Sequence, residues 1–200
     1  MLTIKPVTLS TDRLLLRPLA REDIPALAAA ASDGALWEKP TTTIPRPEGF
    51  AAYVETALSL QDQGLALPFT TVVRDGDQVV GCTRYMNIDA LNHRVEIGTT
   101  WIARSWQRSF VNSHAKFLML RHAFETLECN AVELRTHRLN DQSRAAIERL
   151  GASLDGVLRR HMIMPDGHVR DTAVYSILRE EWPAIRERLE TRLATPETRS

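Results

Sequence analysis

The 200-residue chain has little cysteine, no long apolar run and no excess of charge of either sign. Its two cysteines, Cys82 and Cys129, do not form a C-x-x-C pair or a disulfide framework, which favours a reducing, cytoplasmic location. No segment has the run of about 18 apolar residues that a membrane-spanning helix needs, and the amino terminus lacks the apolar core of a signal peptide. The 25 basic and 25 acidic residues cancel. We therefore expect a cytoplasmic protein whose partners include neither a membrane nor a nucleic acid.

The sequence also lacks the common motifs of nucleotide and metal chemistry. It contains no G-x-x-x-x-G-K-[ST], no G-x-G-x-x-G and no G-x-S-x-G, which argues against P-loop, dinucleotide-binding and serine-hydrolase proteins. The six histidines show no H-E-x-x-H and no paired Cys/His spacing, so no metal site is expected. Cys82 lies in an apolar segment and is expected to be a small buried residue rather than a nucleophile.

Hydrophobic periodicity predicts alternating strands and helices in one domain, residues 1–194, followed by a disordered tail at 195–200. The predicted strands are 13–19, 69–74, 78–86, 93–102, 131–138, 154–164 and 169–178. The predicted helices are 21–31, 48–63, the second half of 103–127, 141–150 and a last helix from 180–181 onward. Turn signals at 75–77 and 165–167 predict two hairpins. No repeat or linker indicates a second domain.

The segment 103–127 joins an apolar helical stripe to an entrance without acids. No Asp or Glu occurs between Glu96 and Glu125, although a first helical turn usually carries one. The entrance is polar and basic instead, with Gln107, Arg108, Ser109, Asn112, Ser113, His114 and Lys116. A strand, a tight polar loop and a helix start predict a phosphate or pyrophosphate site, to which Arg108 would add attraction. Alternatively, these basic residues only face solvent.

The order of elements resembles the GCN5-related N-acetyltransferase (GNAT) family, in particular its ribosomal-protein N-terminal acetyltransferase branch. The resemblance extends roughly over residues 9–193. Its most specific segments are TDRLLLRPLAREDIPAL, EIGTTWI, the 107–112 loop, LNDQS, ERLGA and DTAVYSILREEWP. It implies an α/β (α+β) fold with a mixed, twisted, mostly antiparallel sheet flanked by helices. The sheet would splay in a V between the strand ending near Ile102 and the strand 131–138.

The resemblance further implies that acetyl-CoA, a co-substrate, lies in this V. Its pantetheine would pair with the backbone near Trp101 and Ile102. Its pyrophosphate would lie on the N–H groups of the next loop: Gln107, Arg108, Ser109, Phe110, Val111 and Asn112. The family's loop is typically [RQ]-x-x-G-x-[GA], so Phe110 and Asn112 replace its two small residues. Because glycine permits backbone angles that phenylalanine resists, this departure leaves the loop geometry open.

Glu96 is the catalytic base that the resemblance implies. It would take a proton from the incoming ammonium, which cannot attack a thioester while it is protonated. Strand alternation places Glu96 on the same face as Gly98 and Thr100. Alternatively, Glu96 is a solvated strand residue paired with Arg84 or Arg94.

Asn140 and Ser143 match an N-x-x-S segment of the same family branch. By resemblance, Asn140 would hydrogen-bond the pantetheine, and Ser143 would donate a proton to the leaving thiolate. Both residue types are also preferred at helix starts, so they are also expected to cap the helix 141–150.

The resemblance thus implies an N-acetyltransferase that moves an acetyl group directly from acetyl-CoA to a primary amine of a peptide N-terminus or a small molecule. One alternative is a CoA-binding or regulatory module with little catalysis, which the altered loop favours. Another is an interaction protein without a cofactor.

The acceptor pocket and the assembly are harder to read from the sequence. Trp37 and segment 40–47 belong to the acceptor side by resemblance, and three further residues are weaker candidates: Trp106, His161 and Tyr175. The last helix has an apolar face formed by Ile185, Leu189 and Leu193. This face would either cover the sheet or meet a second copy in a homodimer.

Overall fold

The computed structural model of the chain describes residues 4–164 and 166–194, and the predicted tail at 195–200 lies outside them. Eight strands form one sheet in the order β1-β2-β3-β4-β5-β6-β8-β7. The strands are β1 (Leu9–Ser10), β2 (Leu14–Pro18), β3 (Leu67–Val73), β4 (Gln78–Asp89), β5 (Arg94–Ile102), β6 (Ala131–His137), β7 (Ser153–Ile163) and β8 (Val169–Leu178). The helices are α1 (Ile24–Ser32), α2 (Phe50–Asp62), α3 (Phe110–Arg121), α4 (Asp141–Leu150) and α5 (Trp182–Ala194).

The predicted fold class is confirmed, and so is the order of the predicted elements. Helix α4 and strand β8 have the predicted bounds. The ends of the other elements differ by up to three residues, except those of α3, which begins in the first half of 103–127 and ends at Arg121. The two-residue strand β1 was not predicted, because a pairing this short leaves no periodic pattern in the sequence. Short 3-10 turns precede α1, α2 and α5, so the regular part of each helix begins later than the sequence suggested.

The central strands of the sheet pack against apolar side chains on both faces. Helices α1 and α2 pack on β3 and β4 and enclose one apolar cluster, which includes Phe50 and Val54. A larger cluster lies on the other face, where α3 contributes Phe117, Leu118 and Leu120. Removal of the apolar side chains of both clusters from water supplies the main stabilisation of the fold.

The apolar face of α5 belongs to the second cluster. Ile185 and Leu189 are buried, and Leu193 is partly buried against the same core. The face therefore packs against the core of its own chain. It is not the dimer surface that the sequence left open as an alternative. A homodimer remains a prediction, but its interface would not be the apolar face of α5.

The segment β5–α3–β6 produces the main irregularity of the sheet. All neighbouring strands are antiparallel except β5 and β6, which are parallel and therefore need the crossover that α3 provides. Their ladder has only three rungs and ends where Glu96 faces Glu133. Beyond this rung, β5 continues to Ile102 and β6 to His137 while each stays paired on its outer side. The two strands thus separate, and the predicted V is confirmed.

Candidate active site

The opening between β5 and β6 exposes an unpaired strand edge. Ala103 donates its N–H to the carbonyl of Val80 on the β4 side at 2.8 Å. Since strand residues alternate, the N–H and C=O of the preceding Ile102 point the other way, into the opening. The Ile102 carbonyl there accepts a hydrogen bond from Gln107 Nε2 at 2.9 Å. A ligand that adds to this edge as an extra strand would replace this contact.

A β-bulge in β5 determines which side chains face which side of the sheet. On β4, the single residue Thr83 lies opposite both Thr99 and Thr100, and Thr99 has a left-handed φ of 48°. Such a bulge shifts the alternation by one position. Thr100 therefore faces α3, where its Oγ1 lies 2.7 Å from that of Thr83. Glu96 precedes the bulge and faces the α2 side, so the prediction that it shares a face with Thr100 is wrong.

Glu96 is a buried carboxylate at the last rung of the β5–β6 ladder, with 5% of its surface exposed. Asn87 Nδ2 donates to its Oε2 at 2.7 Å, and Arg135 Nε lies 3.5 Å from the same atom. Burial raises the pKa of Glu96, the hydrogen bond from Asn87 and the charge of Arg135 oppose this rise, and the charge of Glu133 adds to it. The carboxyl group is thus tuned toward accepting a proton.

The two predicted partners of Glu96 are wrong, since neither Arg84 nor Arg94 pairs with it. The arginine that does is Arg135. Arg94 binds Glu133 at 3.4 Å. Arg84 lies under α2, with its guanidinium 5.3 Å from the centre of the Tyr53 ring. Sequence spacing alone did not indicate Arg135, which comes from β6 and reaches Glu96 only because β5 and β6 are neighbours.

The loop between β5 and α3 has its left-handed residue at Arg108, with φ 61°. Ser109 caps α3: its Oγ accepts the N–H of Val111 at 3.3 Å and donates to the carbonyl of Trp106 at 2.7 Å. Arg108 and the half-exposed Asn112 lie at the helix start. The first turn of a helix presents N–H groups without intrahelical acceptors. This geometry suits an anion, as the sequence predicted for the loop.

Phe110, which replaces a small residue of the family pattern, does not distort this loop. It has helical backbone angles, so its position needs no glycine. Its side chain is 7% exposed and packs against Trp106 and His114, with the Arg13 guanidinium 3.6 Å from the ring centre. The ring is therefore part of the core.

Lys116 is not at the helix entrance, where the sequence placed it. It lies in the second turn of α3 and is 7% exposed, with Nζ donating to Thr100 Oγ1 at 2.9 Å. No carboxylate in 4–164 or 166–194 forms an ion pair with it. Burial lowers the pKa of Lys116 to about 7, and the negative charge of Glu96 opposes this. A lysine inside the apolar run HAKFLML was the available signal for a buried base.

Asn140 and Ser143 lie across the opening, at the start of α4. Asn140 Oδ1 accepts the N–H of Ser143 at 3.0 Å, which confirms the predicted cap. Asn140 Nδ2 also lies 3.4 Å from Thr41 Oγ1, so the 40–47 segment reaches this end of the cleft. Ser143 is half-buried, and its hydroxyl forms no hydrogen bond within the described chain.

The α2 side of the cleft contains a polar cluster that involves Trp101. Its indole N–H donates to Tyr53 Oη at 3.2 Å, and Tyr53 Oη lies 3.0 Å from Cys82 Sγ. Burial raises the pKa of Cys82 to about 11, so the thiol stays protonated at neutral pH. Cys82 is the buried, unreactive residue that the sequence predicted.

The remaining acceptor candidates are dispersed. Tyr175 is fully buried on the opposite face, bonded to Glu148 and Arg144, and it cannot line the acceptor pocket. Trp106 packs on Phe110. His161 is exposed on β7 beside Thr172.

Two general properties of the described chain bear on the site. Within residues 4–164 and 166–194, no three His, Cys, Asp or Glu side chains cluster in a way that could hold a metal ion. In the same residues, none of the helices combines the length and apolar character needed to cross a bilayer.

Known acetyltransferases are similar to this chain in sequence and in fold. The model of the acetyltransferase (GNAT) domain family matches residues 13–153. The uncharacterized N-acetyltransferase p20 of Bacillus licheniformis is 28% identical over 179 residues, which cover 88% of this chain and 98% of that protein. The crystal structure of a GCN5-related N-acetyltransferase from Brucella melitensis has a TM-score of 0.85 at 26% identity, over 96% of this chain and 87% of that one.

A third likeness concerns the fold alone. The structure of Mycobacterium smegmatis RimJ in complex with CoA-disulfide has a TM-score of 0.78 at 22% identity, over 94% of this chain and 95% of that chain. The family match covers most of the chain, and it includes the strand that carries Glu96 and the loop that leads into α3. The protein belongs to the GNAT family of acetyltransferases.

Proposed function

We propose that the protein transfers the acetyl group of acetyl-CoA directly to a primary amine of a small molecule or a peptide N-terminus. The observation that supports this most strongly is Glu96, a buried carboxylate of raised pKa at the point where the sheet opens. A carboxyl group in a cleft whose pKa is raised by burial is a candidate general base.

The residues around the opening fit acetyl-CoA in three respects. The free edge of β5 offers the backbone groups of Ile102, next to Trp101, to the amides of a pantetheine. The 107–112 loop offers a helix start and a positive charge to a pyrophosphate. Asn140 and Ser143 face the arm from the other side, and the likeness in fold to RimJ, whose structure contains CoA-disulfide, supports this arrangement.

The proposed mechanism uses one proton acceptor and one proton donor. Glu96 removes a proton from the bound ammonium, which frees the nitrogen lone pair to attack the carbonyl carbon of the thioester. The C–N bond forms, the C–S bond breaks, and Ser143 donates a proton to the departing thiolate. The second proton that the nitrogen loses on becoming an amide restores the serine hydroxyl, and Glu96 releases its own proton to solvent. Since a serine hydroxyl is a weak acid, its effect depends on its orientation. The thioester supplies the activated acyl group, so no acyl-enzyme is needed.

The altered loop no longer favours the alternative of a binding module without catalysis. Phe110 is directed into the core, so the helix start remains accessible to an anion. A binding module would also not need a buried carboxylate at the opening, since burial of a charge costs free energy.

The test combines cofactor binding with product formation. The protein is incubated with acetyl-CoA and a panel of amines, free CoA thiol is measured, and the acetylated amine is identified by mass. We expect thiol and acetylated amine in equal amounts. A rise in melting temperature with acetyl-CoA but no thiol from any amine would favour the binding module, and no rise would favour the interaction protein.

A further inference from the structure

Arg84 is a buried guanidinium without a counter-charge. Only 6% of its surface is exposed, and no solvent reaches its Nε, which has no hydrogen-bond partner. Among the residues that the structure describes, no carboxylate pairs with Arg84 and no acceptor takes its N–H groups. The carbon Cζ of its guanidinium lies 5.3 Å from the centre of the Tyr53 ring, in a cation–π contact. Buried charges are normally paired, because an unpaired charge loses its hydration without compensation.

The position of Arg84 relates it directly to the proposed base. Arg84 is the β4 partner of Gly98, which is two residues from Glu96 on β5. Diagonal neighbours on adjacent strands have Cα atoms about 7–8 Å apart. Both side chains lie on the α2 side of the sheet, so an acceptor whose amine meets Glu96 would have its next few atoms near Arg84.

Gly98 lies between these two residues and leaves room for the side chains of Glu96 and Met86. A Cβ atom there would lie 2.9 Å from Glu96 Oε1 and 2.6 Å from Met86 Sδ. The Glu96 carboxylate therefore lies over the glycine that pairs with Arg84 across the strands. The same carboxylate is already held by Asn87 and Arg135, and it does not neutralise Arg84.

The other arginines near Glu96 already have partners. Arg135 binds Glu133 as well as Glu96. Arg170 donates from Nε to Thr172 Oγ1 at 2.9 Å and is only half-buried. Arg84 thus differs from both by its burial and by its free hydrogen-bonding groups.

We propose that Arg84 binds the carboxylate of the amine acceptor, so that the substrate is a small carboxylate-bearing amine of the amino-acid type. A guanidinium binds a carboxylate through two parallel N–H···O bonds, which fixes orientation as well as charge. The amine then points to Glu96. A peptide N-terminus, whose first carboxyl group is an amide, lacks this charge. This inference rests on the proposed acetyl transfer and specifies its acceptor.

The test uses matched acceptors that differ in charge but keep the same amine-bearing carbon. Free L-amino acids are compared with their α-amides, by kcat/KM for thiol release. We expect the free acids to be preferred by about 10- to 100-fold, in line with a charge-assisted pair of hydrogen bonds. The amide has the less basic amine and is the easier one to deprotonate, so this preference would oppose intrinsic reactivity. Aspartate α-amide is also compared with asparagine α-amide. A preference for aspartate α-amide would show that a side-chain carboxylate can supply the negative charge.

Two variants separate a binding role from a structural one. In Arg84→Met, which keeps an apolar contact with Tyr53, the ratio of acid to amide should fall to near one. In Arg74→Met, which changes an exposed arginine, the ratio should stay at the wild-type value. The melting temperature of Arg84→Met should be unchanged or higher, because an unpaired buried charge is removed.

Several results would overturn the inference. Equal use of acids and amides by the wild type would do so, and so would a ratio that survives in Arg84→Met. If no amine at all releases thiol, the proposed acetyl transfer is wrong, and Arg84 is then judged by calorimetry of the amino acids with the CoA-loaded protein. Equal affinity of wild type and Arg84→Met in that titration would remove Arg84 from any anion site.

Discussion

Two buried cations lie on opposite faces of the central strands, and they differ in how their charge is accommodated. Lys116 faces β5 from α3, and Arg84 faces α2 from β4. Neither forms an ion pair with a carboxylate in the described ranges. Burial lowers the pKa of Lys116 to about 7, so the amine loses its charge near neutral pH. A guanidinium stays charged, so Arg84 depends on an external anion.

The two faces of the sheet should therefore respond differently to substitution. On the α3 face, the Lys116 amine has a hydrogen-bond partner within the protein, Thr100. The α2 face, with Arg84 and Glu96, has a charge without a partner beside a carboxylate of raised pKa. Substitutions on the α2 face should therefore alter catalysis and acceptor choice, and substitution of Lys116 should mainly alter stability.

The largest effect is expected for Glu96→Gln. The amide keeps the shape of the side chain but cannot take a proton, so turnover should fall by about 10²–10⁴-fold, as for the loss of a general base. The residual rate should rise with pH toward the pKa of the amine, where free amine no longer has to be generated. Steady-state rates from pH 6 to pH 10 would measure this. Near-normal turnover at neutral pH would exclude Glu96 as the base.

Glu133→Gln is the matched control for this variant. Glu133 faces Glu96 on the same rung, but Arg94 and Arg135 occupy its carboxylate. We expect a loss of less than about tenfold, since the charge of Glu133 affects Glu96 only indirectly. A loss as large as that of Glu96→Gln would mean that the carboxylate pair, and not Glu96, carries the function.

Lys116→Met should stabilise the protein in a pH-dependent way. Below pH 7 the lysine is charged in both states, so the cost of burying the ammonium is present in full. Between pH 7 and 10.5 the folded state releases the proton while the unfolded state keeps it, so wild-type stability rises relative to the variant. We expect a gain in melting temperature of roughly 5–10 °C at pH 6 that shrinks toward pH 10. A gain independent of pH would contradict the lowered pKa.

Arg108→Glu should weaken the response to acetyl-CoA. Reversal of a charge at a helix start that binds an anion should reduce affinity by about tenfold. The measurement is the rise in melting temperature over a titration of acetyl-CoA, with Arg149→Glu, at an exposed position of α4, as the control. An unchanged response in Arg108→Glu would place the pyrophosphate elsewhere.

Asn140→Ala tests two roles of one residue. Loss of the cap on α4 should lower the melting temperature by about 2–4 °C. The acetyl-CoA response should also weaken if the Asn140 amide binds the pantetheine. A lower melting temperature with an unaltered response would leave Asn140 as a cap alone.

The sequence predicted the fold well because long, periodic segments dominate it. The bounds of α4 follow from Asn140 and Gly151 at its ends, and the resemblance to the GNAT family implied the V.

Features that depend on contacts between distant segments were not predictable in this way. The bulge at Thr99 reverses the facing of Thr100, and it arises from the pairing of β5 with β4. The isolation of Arg84 and the burial of Lys116 depend on elements packed over them from other parts of the chain. Periodicity in one strand or helix contains no information about these neighbours.

The most direct test of the central claim is the electron density of the protein co-crystallised with acetyl-CoA. We expect the pantetheine to lie along the free edge of β5 at Ile102 and the pyrophosphate to lie at the start of α3. The thioester should lie where an amine bound at Glu96 can reach its carbonyl carbon. Density for the cofactor in which the thioester lies away from Glu96, or outside the opening between β5 and β6, would contradict the claim.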